Sequence, residues 1–175
     1  MTSPMPPRYT ADPERLRVVV LVSGTGSLLQ AIVDAQAGHY QVVKVVADKE
    51  CHGIARAQGH GIETEVVALG ADRAEWNQRL VDAVDAAQPD VVVSAGFMKI
   101  LGQEFLGRFE GRTINTHPAL LPAFKGAHAV RDALDYGVKI TGSTVHFVDA
   151  GVDTGSIIAQ RPVCLLYTSD AADEA

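Results

Sequence analysis

"VVVLVSGTGSLLQAIVDAQAG", residues 18–38, changes its period halfway along. The opening "VVVLVS" is a continuous apolar run ending at Gly24, the pattern of a strand buried on both faces of a parallel sheet. Residues 27–37, "SLLQAIVDAQA", then read as a helix, and Gly38 stops it. Strand, glycine turn and helix in direct succession are the opening half of a βαβ unit.

The same alternation continues along the chain. "QVVKVVAD" gives a second strand, "GIARAQGHG" a short helix, and "IETEVVAL" a third strand with Glu63 and Glu65 near its start. Asp72 and Glu75 have the spacing of a capping box, and Trp76, Leu80, Val84 and Ala87 recur on one helical face until Pro89. "DVVVSAGF" is a fourth strand. The fold class expected is therefore α/β, a doubly wound, mostly parallel sheet whose ligands meet loops at the carboxyl ends of strands. The second half is less regular: "LGQEFLGRF" and "AHAVRDALDYG" read as helices, and "KITGSTVHFVD" and "GSIIAQRPV" as strands able to pair across the loop "DAGVDTG".

Length and composition fit one domain. The chain has 175 residues, 47% of them apolar and 6% aromatic, with no run approaching a membrane span. Its net charge of −6 comes with no Lys/Arg cluster, so a nucleic-acid footprint is missing and small molecules are the expected partners. Two cysteines, Cys51 and Cys164, are too few for a disulfide framework or a zinc site, which fits a reducing cytoplasm. Residues 1–17 carry four prolines and no apolar core, and read as a flexible leader instead of a secretory signal. At the other end, "CLLYTSDAADE" resembles the translation of a sequencing-adapter end, so residues 164–175 are expected to be a non-native tail. Asp170, Asp173 and Glu174 in that tail carry three of the six net negative charges.

Three constellations have chemical potential. In "SGTGSLLQ", Gly24 and Gly26 let the backbone approach a ligand, and the following helix offers free N–H groups to a phosphate. Leu29 stands where a dinucleotide fingerprint has its third glycine, and no Gly-Lys-Ser/Thr follows, which disfavours NAD and ATP. A plain tight turn would use the same residues. In "TINTHPALLPAFKGAH", residues 113–128, Asn115 and His117 are two apart and project to one face of a strand. An amide donor beside an imidazolium suits the oxyanion of an acyl transfer, although a strand-end Asn beside a buried structural His has the same sequence. In "VDAGVDTGS", residues 148–156, a carboxylate delivered to His117 would favour the charged ring; Asp149 and Asp153 both qualify, and a surface turn is the commoner use of such residues. His39, His52 and His60 read as surface or turn residues, and His128 and His146 as residues that could lie near the site, with scaffold the favoured use of His146.

"LVSGTGSLLQAI", "DVVVSAGFMKIL", "INTHPALLPAFKGAHA" and "GSTVHFVDAGVDTGSIIAQ" together resemble the phosphoribosylglycinamide formyltransferases, folate-dependent enzymes of purine biosynthesis, in order and with matching spacing from Val18 to Val163. The resemblance implies a Rossmann-like formyltransferase domain over residues 18–163 that is truncated at its C-terminus. It further implies transfer of a formyl group from 10-formyltetrahydrofolate, the co-substrate, to the amine of glycinamide ribonucleotide, without a metal. By it, Asn115, His117 and Asp153 are catalytic, and Gly26, Ser27 and Leu28 hold the ribonucleotide phosphate. Arg73, Met98, Lys99, Ile100, Leu101, Asn115 and the loop Asp149, Ala150, Gly151, Val152, Asp153 would bind the formyl-folate. It also implies a monomer or homodimer, without nucleic-acid or membrane partners. Lys99 replaces an Arg of some relatives, Leu28 an Asn and Thr144 a Ser. Other readings are a formyltetrahydrofolate hydrolase, an enzyme like methionyl-tRNA formyltransferase, or an inactive nucleotide-binding fragment.

Overall fold

The computed structural model describes residues 15–165. Most of the expected leader and tail lies outside them, and of the parts inside, Leu16, Arg17 and Cys164 are strand. β1 (Leu16–Val22) begins before Val18 because Leu16 and Arg17 already pair with Tyr40 and Gln41, and β7 (Ile157–Cys164) runs past Val163 because Cys164 pairs with Ile140. Between them follow α1 (Ser27–Asp34), β2 (Tyr40–Ala47), α2 (His52–Gly59), β3 (Glu63–Val66), α3 (Arg73–Asp85), β4 (Val91–Ser94), α4 (Gln103–Arg108), β5 (Thr113–His117), α5 (Ala129–Tyr136) and β6 (Ile140–Phe147). These elements make a mostly parallel α/β fold. They fall into two compact units that divide within β5, between Asn115 and Thr116.

In the first unit the strands run parallel in the order β3-β2-β1-β4-β5. β1 is the hub: the chain winds outward through β2 and β3 on one side, then crosses to β4 and β5 on the other, which is the doubly wound topology. Val18 through Val22 are all buried, as the unbroken apolar run requires. Val18, Val20 and Val22 pack in one core cluster with Leu29 and Val33 of α1 and Ile54 and Ala57 of α2. Each such side chain contributes about 1.5–3 kcal/mol relative to exposure, so burial on both faces, more than hydrogen bonding, keeps β1 central.

α3 starts where the capping spacing predicts: the Asp72 carboxylate accepts from the N–H groups of Ala74 (2.8 Å) and Glu75 (3.1 Å). Its apolar face is fully buried at Trp76, Leu80 and Val84, and the Trp76 indole N–H donates to Val67 O at 2.7 Å. Glu63 and Glu65 have a structural use. Lys44, on β2, is 3% exposed, and its ammonium lies 3.0 Å from Glu63 and 2.7 Å from Glu65 on the neighbouring strand.

In the second unit β6 and β7 form the expected antiparallel pair, and α5 closes on Gly137 in the left-handed conformation. Thr144 on β6 is fully buried and pins the segment after Pro118. Its hydroxyl donates to Ala119 O (2.7 Å) and accepts from Leu121 N (3.1 Å) and from the Gln160 amide (3.0 Å), which also donates to Leu121 O.

Candidate active site

β5 ends in the pair read from sequence. Asn115 and His117 are two residues apart on this strand, so its pleat sends both side chains to the same face. Asn115 is half-buried and His117 is 4% exposed. Both ring nitrogens of His117 face acceptors in the second unit. Nε2 lies 2.7 Å from Phe124 O and Nδ1 lies 3.4 Å from Asp153 Oδ2. A carbonyl only accepts, so Nε2 carries a hydrogen in this arrangement.

Asp153 joins several elements. Its Oδ2 also accepts from Gly126 N at 2.8 Å, and its Oδ1 stands 3.6 Å from Nε2 of His146. His146 is buried, and its other nitrogen donates to Phe147 O at 2.8 Å. The backbone of Asp153 has φ 52°, in the left-handed region, where aspartate is among the better tolerated non-glycine residues. Of the two aspartates left open by the sequence, Asp153 reaches His117. Asp149 instead accepts from Gly151 N (3.0 Å) and the Thr154 hydroxyl (2.6 Å), shaping the loop in which Ala150, Gly151 and Val152 are exposed. The His146 ring faces the same carboxylate as His117. Its strand position gave no sign of that contact, which depends on a loop seven residues further on. His128 occupies the N-cap position of α5, where its exposed side chain does not cap the helix.

In the first unit, the turn before α1 is built around Gly26, which has φ 71°. A Cβ there would stand 2.6 Å from Gly53 Cα, so both the backbone angle and the close approach of α2 demand glycine. No side chain caps α1. The N–H groups of its first turn, at Ser27 and Leu28, are therefore suited to an anion. Beside this turn opens a cavity of about 440 Å³ lined by Thr25, His52, Ala55 and Arg56, with Arg56 Nε donating to Thr25 O at 2.8 Å.

Of the residues expected to bind folate, Arg73 and Met98 to Leu101 belong to this unit, whereas the loop from Asp149 to Asp153 belongs to the second. The Arg73 guanidinium lies 4.7 Å over the Trp76 ring and donates to Ile100 O; Trp76 stacks on Phe97 with centroids 6.4 Å apart. Met98 and Ile100 are 72% and 70% exposed, forming an apolar ledge beside a cation. Leu101 is buried, which leaves its backbone as the part able to meet a ligand. Lys99 reaches towards Asp48, with Nζ 3.5 Å from Oδ2.

The chain is similar to proteins of known name. The chain is 54% identical over 158 residues to phosphoribosylglycinamide formyltransferase of Mycobacterium tuberculosis, covering 88% of this chain and 74% of that protein. It is 39% identical to the Escherichia coli (strain K12) protein of the same name, over 91% of this chain and 77% of that one. Among solved structures, glycinamide ribonucleotide transformylase 1 from Symbiobacterium toebii superposes with a TM-score of 0.85 at 38% identity, over 89% of this chain and 76% of that one. The sequence profile described as formyl transferase matches residues 16–174, nearly the whole chain; with its sheet order and its Asn-x-His strand end, this protein belongs to the formyl transferase family.

Proposed function

We propose that the chain transfers the formyl group of 10-formyltetrahydrofolate to the amine of glycinamide ribonucleotide, the reaction of de novo purine synthesis, as its identity with named phosphoribosylglycinamide formyltransferases supports. The observation that carries the reading is the pairing of His117 with Asp153 at the end of the strand that also bears Asn115. The amine nitrogen bonds to the formyl carbon, the bond from that carbon to the folate nitrogen breaks, and a proton passes from the amine to that nitrogen. Asn115 and His117 donate to the formyl oxygen as negative charge develops there, and Asp153 holds the His117 ring. For His117 to donate there, its Nε2 must exchange Phe124 O for the formyl oxygen.

The remaining assignments follow the same reading. The N–H groups at Gly26, Ser27 and Leu28 hold the ribonucleotide phosphate. Arg73 and the ledge of Met98 and Ile100 suit a folate, whose flat apolar ring and carboxylates need an apolar surface beside a cation, and the backbone of Leu101 continues that ledge. The test is formyl transfer by the purified chain with both substrates, followed as loss of 10-formyltetrahydrofolate. Transfer that requires the ribonucleotide supports the reading. Release of formate without the ribonucleotide identifies a hydrolase instead.

A further inference from the structure

The segment 97–101 is tethered from three directions. Ser23, at the end of β1, accepts from Met98 N at 2.8 Å; Arg73, at the start of α3, donates to Ile100 O; and Asp48, just beyond β2, pairs with Lys99 at 3.5 Å. The last tether differs from the others because Asp48 is a buried carboxylate. Its side chain is 2% exposed, and Oδ1 has no hydrogen-bond partner among the described residues. A carboxylate desolvated to that degree is costly unless a cation compensates it, so the interaction commits the Lys99 ammonium to Asp48.

We infer that Asp48 is a positioning residue for the folate: through Lys99 it fixes the loop that presents Met98 and Ile100, and Lys99 is an anchor and not a ligand. Resemblance alone assigns Lys99 to folate contact and gives Asp48 no role. The geometry divides the work differently. Met98 and Ile100 are turned outward, while the charged side chain between them is turned in towards Asp48. This inference rests on the folate reading above, but its mechanical half is testable without any ligand.

Two measurements on the full chain test it, using Asp48→Asn, Lys99→Met and the double variant. The first is amide hydrogen exchange without ligand: Asp48→Asn is expected to speed exchange across residues 97–101 while leaving β1 and β2 protected, and unchanged exchange overturns the inference. The second is calorimetric titration with 10-formyltetrahydrofolate and, separately, with the ribonucleotide. Each single variant is expected to weaken folate binding about tenfold, the double variant no more than either single, and ribonucleotide affinity is expected to stay the same. Losses that add in the double variant would make Lys99 a ligand and overturn the anchor. Failure of the unaltered chain to bind folate removes the proposed reaction, while the exchange measurement still decides whether Asp48 holds the loop.

Discussion

Asp153 Oδ2 stands 3.4 Å from Nδ1 of His117, while Oδ1 of the same carboxylate stands 3.6 Å from Nε2 of His146. One side chain thus faces two buried rings, one at the end of β5 and one on β6. Removing its charge should be felt in the chemistry more than in substrate binding. Asp153→Asn is expected to lower kcat by roughly 10²–10⁴ with little change in ribonucleotide affinity, read from steady-state rates and a binding titration.

Replacing the strand-end pair separates the two donors. His117→Ala should reduce kcat by about 10²–10⁴ and Asn115→Ala by about 10²–10³. Because both act on one oxygen, the double variant should lose less than the product of the single effects. Ribonucleotide affinity that falls as far as kcat in His117→Ala would make the ring structural.

Gly26→Ala tests the turn. The new Cβ meets backbone of α2 at 2.6 Å, and the residue has φ 71°, so no rotamer change relieves it. Thermal unfolding should show a loss of roughly 1–3 kcal/mol. Inorganic phosphate should lose its ability to protect the chain, because the first turn of α1 is displaced.

Thr144→Val keeps the shape and removes the hydroxyl. Leu121 N then loses its acceptor, the Gln160 amide one of its two, and Ala119 O its donor. Denaturant unfolding should show a cost of about 1–3 kcal/mol for the groups left unpaired in a buried place. The KM values should rise less than kcat falls, because the segment pinned is the one that follows His117.

Lys44 sets a pH dependence. Burial by itself lowers its ammonium, but hydrogen bonds to Glu65 and Glu63, with their charges, outweigh it, and the net shift is upward. The folded chain therefore keeps this proton longer than the unfolded chain. The stabilisation is complete below the unfolded value and is lost as pH rises through the folded one. Changing both Glu63 and Glu65 to Gln should cost roughly 1–3 kcal/mol at neutral pH, less than a fully enclosed pair because both carboxylates reach water. Urea midpoints at neutral and at strongly alkaline pH should show the alkaline loss in the unaltered chain and a smaller one in the variant.

Much of this was readable from residue order because the first unit is built on local rules. An unbroken apolar run makes β1, Asp72 and Glu75 mark the start of α3, and an alternating strand-helix pattern leads to a parallel sheet. Boundaries shifted where pairing with a neighbour decided them, as at Leu16 and Cys164. At the site, i and i+2 alternation placed Asn115 and His117 on one face, but the choice of Asp153 over Asp149 came from family resemblance and then from the loop geometry. Asp48 did not announce itself. Its partner Lys99 lies 51 residues further on, and a single buried polar residue in an apolar stretch has the same local pattern whether it faces a charge or only fills a gap.

The left-handed backbone at Asp153 narrows what evolution or an engineer can place there. Glutamate, the customary charge-preserving swap, suits that conformation less well and carries its carboxylate one methylene too far, so the substitution that looks mildest on paper is expected to be among the harmful ones.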